Sequence, residues 1–326
     1  MAAALSLAPD VRLASDAFPD EVSLPDASSP TGGWGDLALG VIAGLRRAGV
    51  LRAGAHVAFS TSVPPGAGLS SSAAAGVAAA AAALAATAGT LGASAVARLC
   101  QRAEHEYLGV PSGLMDETAV LLGRAGQALL FDPELEEVTP VDVPGEAAWL
   151  VVESGVTREL RSSEYGARAG EAAEALGLAR LRLPGLDRLG DLTPGEVADL
   201  DLPEPLNRRA RHIASEVMRV RMGVASLEAD NLEAFGELMV TSHRSLARDC
   251  EVSTPELDEL VEVALAAGAL GARLMGAGFG GSVLALAERG SAARVAQKLG
   301  RRYRTPGGGA PRVHQVALVD GVMSAG

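Results

Sequence analysis

Pro64-Pro65-Gly66-Ala67-Gly68-Leu69-Ser70-Ser71-Ser72 opens straight into an apolar run from Ala73 to Ala88. The glycines remove side chains where a backbone must come close to a ligand. The run that follows is nearly all alanine, a strong helix former. A helix N-terminus exposes unpaired N–H groups and carries about half a positive charge. Glycines, hydroxyls and helix start together make an anion cradle built from backbone, in which one hydroxyl can ligate Mg²⁺. The loop does not end in Gly-Lys-Ser/Thr, so it is not of the Walker type. A Gly-rich turn with a serine helix cap accounts for the same letters without a ligand, and the loop alone does not choose between the two. The alanine run contains Gly76. Alanine contributes little transfer energy, so the run reads as a buried helix rather than a membrane span.

Working outward, Asp36 to Arg47 has helical spacing, with Leu37, Val41 and Leu45 on one stripe. Residues 1–30 read as a short strand and then a polar, proline-punctuated loop, and Gly54 to Val63 as a strand. After the alanine helix, a second helix is predicted over Ser94 to Tyr107, a short one over Asp116 to Leu122, and a strand over Ala128 to Phe131. Ala148 to Glu153 is a further strand. Helices are predicted over Leu206 to Leu227, Leu232 to Leu246 and Pro255 to Ala267. Leu270 to Ala287 reads as strand, Gly-rich turn, strand, and Thr305 to Ala310 as an exposed loop. Strands and helices mixed without regular alternation favour α+β over a doubly wound sheet.

The 326 residues are too many for one compact core and suit two domains. Hydrophobic residues make up 48%, so burial is not limiting. The balance of 28 basic against 40 acidic residues argues against nucleic acid or an anionic membrane as main partner. Lys298 is the only lysine, so any side-chain phosphate clamp must use arginine or a metal. Cys100 and Cys250 are the only cysteines; no metal spacing surrounds them and one pair makes no disulfide framework. A reducing cytoplasm is the expected setting. Met1-Ala-Ala-Ala-Leu-Ser-Leu-Ala lacks the basic start and long apolar core of a signal peptide.

A second Gly-rich stretch, Leu274-Met275-Gly276-Ala277-Gly278-Phe279-Gly280-Gly281, follows some two hundred residues after the first. Taken alone it is a tight hairpin turn. Pro-Pro-Gly-Ala-Gly-Leu-Ser-Ser-Ser-Ala-Ala resembles the phosphate loop of the small-molecule kinases known as GHMP kinases. In that family the second stretch packs beside the loop. Three more stretches are similar to the galactokinase branch: Glu104-His105-Glu106-Tyr107-Leu108-Gly109-Val110-Pro111-Ser112-Gly113-Leu114-Met115-Asp116; Ser162-Ser163-Glu164-Tyr165 with Arg168; and Ser245 through Asp258, preceded by Arg208-Arg209-Ala210-Arg211-His212. The resemblance runs from about Val11 to the end of the chain.

It implies an α+β, two-domain GHMP kinase fold. An ATP-binding N-terminal domain over residues 1–147 would resemble that of a ribosomal protein. A ferredoxin-like C-terminal domain would cover 148–326. It implies ATP and Mg²⁺ as cofactors and galactose as the phosphoryl acceptor, in a cytoplasmic enzyme taken as a monomer. It places the nucleotide phosphates on Gly66, Ala67, Gly68, Leu69, Ser70, Ser71 and Ser72, the metal on Ser72 and Glu104, and catalysis on Asp116. Gly113, Asp116 and Tyr165 would contact the sugar. Ser15 and Trp34 would form part of the nucleotide pocket.

Each residue also has a plainer role. Asp116 is well placed as an N-terminal helix charge, and Tyr165 as a packing aromatic. Glu104 and Glu106 flank opposite edges of one apolar helix face, and geometry alone does not choose between them. His105 points away and reads as solvated. Two positions depart from the family pattern: Leu37 stands where Tyr is expected, and Glu117 where Gln usually follows the catalytic Asp. No stretch of the chain resembles the galactokinase opening Gly-Arg-Val-Asn-Leu-Ile-Gly-Glu-His-Thr-Asp-Tyr, which supplies an arginine near the transferred group and a cluster that holds sugar hydroxyls. Met1 as an internal methionine, a true deletion and a non-catalytic sensor relative are the three readings left open. On any of them the chain as written is expected to bind ATP weakly, phosphorylate galactose poorly and expose a strand edge. Another GHMP kinase with a different acceptor is the remaining alternative.

Overall fold

The computed structural model describes residues 1–63, 68–157 and 162–323. Two compact units divide the chain. One comprises Met1–Pro65, Leu69–Pro140 and Leu318–Gly326, the other Gly66–Gly68 and Val141–Ala317.

In the first unit, β1 (Ala2–Ala8), β2 (Val11–Ser15), β3 (Phe18–Leu24) and β4 (Gly54–Ser60) form a sheet in the order β1-β4-β2-β3. β2 runs parallel to β4 and the other pairs are antiparallel. The opening 30 residues therefore hold three strands, where the sequence predicted one strand and a loop. The signal was present but short. Val11 and Leu13 are buried and alternate with exposed Arg12, the period-two pattern of a half-buried strand. β3 carries Pro19, which an edge strand tolerates because no ladder bond is needed there.

Four helices follow: α1 (Asp36–Arg47), α2 (Ser71–Thr87), α3 (Ala93–Ala103) and α4 (Met115–Leu122). The predicted α1 stripe of Leu37, Val41 and Leu45 is buried against Val11, Leu13, Val57 and Val77. The Asp36 carboxylate accepts the N–H groups of Thr31 and Gly32, each at 2.7 Å, and so fixes the turn into the helix. α2 packs with alanines. A Cβ at Gly76 would stand 3.2 Å from Cys100 Sγ, so the glycine lets α3 approach closely. α3 does not run on to Tyr107 as an α-helix: Glu104–Leu108 is a single π-helical turn closed by left-handed Gly109. β5 (Gln127–Asp132) and β6 (Glu137–Asp142) pair as a separate ribbon.

The second unit holds β7 (Ala147–Glu153), α5 (Ser162–Arg182), α6 (Pro194–Asp199), α7 (Leu206–Glu228), α8 (Leu232–Ser245), α9 (Pro255–Ala267), β8 (Gly271–Leu274), β9 (Ser282–Glu288), α10 (Ala292–Arg302) and β10 (Val313–Val316). Its sheet has the order β10-β7-β9-β8 and is antiparallel throughout. One core lies between this sheet and α9 and α10, with Leu257, Leu260, Val283 and Leu299 fully buried. A second, smaller core joins α5, α6 and α7 through Ala175, Ala179, Val197 and Ala210. α8 also ends in a π-helical turn, Leu246–Cys250, closed by left-handed Glu251. The architecture is α+β, as predicted. Among the described residues no helix is long and apolar enough to cross a membrane.

Candidate active site

α2 begins without a cap. Ser70 lies in the left-handed region at φ 53°, and its hydroxyl makes no capping hydrogen bond. The serine-cap reading of the loop therefore fails. The first helical bond runs from Ala74 N–H to Ser70 O at 3.1 Å. The N–H groups of Ser71, Ser72 and Ala73 precede it, at the positive end of the helix. The Ser70, Ser71 and Ser72 side chains are half-buried, as is Leu69. Gly66 and Ala67, predicted to complete the cradle, lie outside the described residues.

Gly68 belongs with the second unit. It has φ 73°, and a Cβ there would stand 3.4 Å from Gly281 Cα. The expected neighbour of the loop is therefore present: Gly281 closes the Gly-rich turn between β8 and β9. That turn keeps four successive residues at positive φ, Gly278, Phe279, Gly280 and Gly281. A Cβ at Gly278 would lie 2.1 Å from Val252 O, which accepts the Phe279 N–H at 2.7 Å. Gly281 donates to Val156 O at 3.0 Å, and its own carbonyl accepts the Ser154 hydroxyl at 2.7 Å.

In the first unit, α2, α3 and α4 pack against one another. Ser72 lies in the first turn of α2, Glu104 at the end of α3, and Asp116 in the first turn of α4. Asp116 is half-buried, between exposed Met115 and buried Glu117. Just before it, the Ser112 carbonyl accepts Gln101 Nε2 at 3.0 Å and the His105 Nε2–H at 2.9 Å. His105 is exposed, yet it is not simply solvated as predicted: it pins the peptide that leads into Gly113. Gly113 is exposed, with nothing among the described residues within 4 Å of where a Cβ would be.

The structure separates the two glutamates that spacing left equivalent. Glu106 is exposed and paired with Arg47 at 2.9 Å. Glu104 is 6% exposed, and among the described residues no cation pairs with it. The residue that sequence reading passed over is Glu117. It is 1% exposed and neither carboxylate oxygen has a hydrogen-bond partner among the described residues. Burial, helped by the nearby Glu104 and Asp116 charges, pushes its carboxyl up to about 7. The only sign of it in the sequence was the glutamate standing where Gln was expected.

Ser15 ends β2, and its hydroxyl accepts the Ala17 N–H at 3.1 Å. Trp34 stacks on Phe18 at 5.1 Å between ring centroids and donates its indole N–H to Asp20 O at 2.9 Å. Tyr165 is 36% exposed and lies in the first turn of α5. Among the described residues no three His, Cys, Asp or Glu side chains cluster as a metal site.

The family model for the GHMP kinase N-terminal domain matches residues 36–124, and that for the GHMP kinase C-terminal segment matches 224–305. Galactokinase of Roseiflexus sp. is 38% identical over 292 residues, covering 89% of this chain and 75% of that protein. Galactokinase of Thermococcus kodakarensis is 36% identical over 314 residues, covering 96% and 88% respectively. A crystal structure of Lactococcus lactis galactokinase complexed with galactose superposes with a TM-score of 0.89 at 31% identity, covering 98% of this chain and 85% of that one. Identity and coverage at these levels extend across both units, and the chain belongs to the galactokinases of the GHMP kinase family.

Proposed function

We propose that the protein transfers the γ-phosphoryl group of ATP to the anomeric hydroxyl of α-D-galactose. One observation carries the reading. The helix that opens on Ser71-Ser72, the helix that ends at Glu104 and the helix that opens on Asp116 pack together in one unit. Phosphate cradle, buried carboxylate and half-buried carboxylate are thereby held on rigid elements, as a phosphoryl-transfer site requires.

The backbone N–H groups at the start of α2, with Gly68 and the serine hydroxyls, bind the phosphates. The helix dipole adds to the attraction. Asp116 accepts the proton of the sugar hydroxyl or orients it for attack. Gly113 gives the sugar an open backbone, and Tyr165 contacts it. The donor set fits Mg²⁺: Glu104 is a buried carboxylate with no cation paired to it among the described residues, and Ser72 adds a hydroxyl oxygen. Two hard oxygen ligands suffice for Mg²⁺, which keeps waters and substrate phosphates in its other positions. When bound, the cation offsets the negative charge of the phosphates as it shifts during transfer. The enzyme is proposed to act in the cytoplasm.

The test is ADP release with ATP, Mg²⁺ and galactose, compared with mevalonate and homoserine. The opening galactokinase motif is not among the 326 residues. The chain is therefore assayed both as it stands and with a galactokinase opening segment joined ahead of Met1. Galactose-dependent release by either form is expected. Silence of both with galactose, or turnover of another acceptor instead, would overturn the reading.

A further inference from the structure

Arg209 lies in the first turns of α7 and is 3% exposed. Its guanidinium is shared among three acceptors on two pieces of chain. Nε donates to Glu171 Oε2 at 2.6 Å, Nη1 to the Asp249 carbonyl at 2.6 Å, and Nη2 to Glu251 Oε2 at 2.5 Å. Arg208 holds the other Glu251 oxygen at 2.7 Å. These groups belong to α5 and to the corner where α8 ends, and none of them touches the proposed reacting atoms.

Each arm leads, within the second unit, to a residue with a proposed substrate role, Tyr165 on one side and Gly68 on the other. Glu171 is the anchor of Arg168, whose Nη1 donates to both its oxygens at 3.2 and 3.3 Å. Arg168 Nε is buried with no partner among the described residues, so Glu171 is what holds this side chain. Arg168 lies one helical turn after Tyr165, on the same helix. On the other side, Glu251 sits at φ 56°, a left-handed conformation that is strained for a residue with a Cβ. The two arginines fix that corner. The next residue, Val252, carries the carbonyl on which Gly278 and Phe279 rest, and Gly281 of the same turn lies against Gly68.

We propose that Arg209 is a positioning residue that sets both substrate sides at once. Through Glu171 it holds the first turn of α5, and with it Tyr165, the proposed sugar contact. Through Glu251 it holds the Gly-rich side of the nucleotide cradle, the turn that begins at Met275 and ends where Gly281 meets Gly68. A planar fork with donors on three edges can do this; an ammonium group cannot reach three acceptors in one plane. The sugar arm rests on the proposed role of Tyr165, whereas the nucleotide arm does not.

Three variants separate the arms: Glu171→Gln, Glu251→Gln and Arg209→Lys. The readouts are KM for galactose, kcat, and the Kd of a non-hydrolysable ATP analogue with Mg²⁺ by calorimetry. Melting temperature is measured alongside. Glu171→Gln is expected to raise the galactose KM about tenfold with the analogue Kd unchanged, since misplacements on the ångström scale have effects of this order or larger. Glu251→Gln should do the reverse, and Arg209→Lys should raise both constants. Lowered melting temperature with wild-type constants in all three would mean a merely structural network and overturn the proposal. Equal changes of both constants in the two glutamate variants would overturn it too. If Arg209→Lys does not fold, the two glutamate variants decide alone. If wild type does not turn over galactose, the substrate reading has failed, and the analogue Kd of Glu251→Gln decides the nucleotide arm: an unchanged Kd overturns it.

Discussion

Asp116 sits between a methionine that faces solvent and a glutamate that does not. Its proposed task concerns the acceptor hydroxyl rather than the nucleotide. Asp116→Asn is therefore expected to lower the rate of galactose phosphorylation by about 10²–10⁴. The Kd of an ATP analogue, by calorimetry, should stay near wild type. Near-normal turnover in this variant would move the catalytic role elsewhere. Individual residues were unevenly legible in the sequence. Asp116 could be placed at a helix start because Gly113 and the apolar run after it mark the boundary. Glu104 and Glu106 could not be told apart, because one turn of α-helix puts them at symmetric edges of a face. What separates them is a partner 59 positions away, Arg47, and the π-turn that begins at Glu104. Neither leaves a mark in the local letters.

At the scale of an element, the start of α2 and the turn from Met275 to Gly281 were readable because backbone conformation there demands glycine. α5 was not readable. Its sequence carries Gly166, Gly170 and Gly177, which weaken a helix, and it buries little beyond Ala175 and Ala179. Its helicity comes from packing on α7, a tertiary effect that a window of sequence does not contain. The missed β2–β3 hairpin has the same cause, a short pattern stabilised by a neighbour, β4, that lies some forty residues on. The cradle itself gives a direct test. A valine at Gly68 would hold a β-branched side chain at φ 73°, where the cost is backbone strain rather than crowding, since the nearest atom is at ordinary contact distance. Gly68→Val should therefore fold, with an intact far-ultraviolet spectrum, while losing most of its affinity for an ATP analogue. Unchanged affinity in the folded variant would remove Gly68 from the cradle.

Over the whole molecule, the two units carry ionisable groups of opposite pH response. In the first unit, Glu117 has its carboxyl raised from 4.5 to about 7 by burial. A carboxyl raised on folding stabilises the native state fully below its unfolded value, and the stabilisation is lost as pH rises through about 7. The loss amounts to about 3 kcal/mol. In the second unit, His212 and His243 are buried and held below 6.5, chiefly by desolvation. A histidine kept neutral on folding acts the other way: the unfolded chain takes up protons below about 6.5, so stability rises as pH increases through that range. Glu251, drawn down to about 2 by Arg209 and then Arg208, adds to the same trend only at lower pH. The chain has two tryptophans, and each unit has one, Trp34 and Trp149. Trp149 meets the Phe235 ring edge-on at 6.0 Å, so both indoles report on packed surroundings. Trp149→Phe leaves Trp34 as the reporter, and Trp34→Phe leaves Trp149. On going from pH 5 to pH 7.5 in ligand-free protein, the urea midpoint seen by Trp34 should fall and that seen by Trp149 should rise. Glu117→Gln, added to the Trp149→Phe protein, should abolish the fall, because an amide stays neutral throughout. Midpoints that move together in both reporters, or a fall that survives Glu117→Gln, would show that the buried carboxyl does not govern the pH response of its unit.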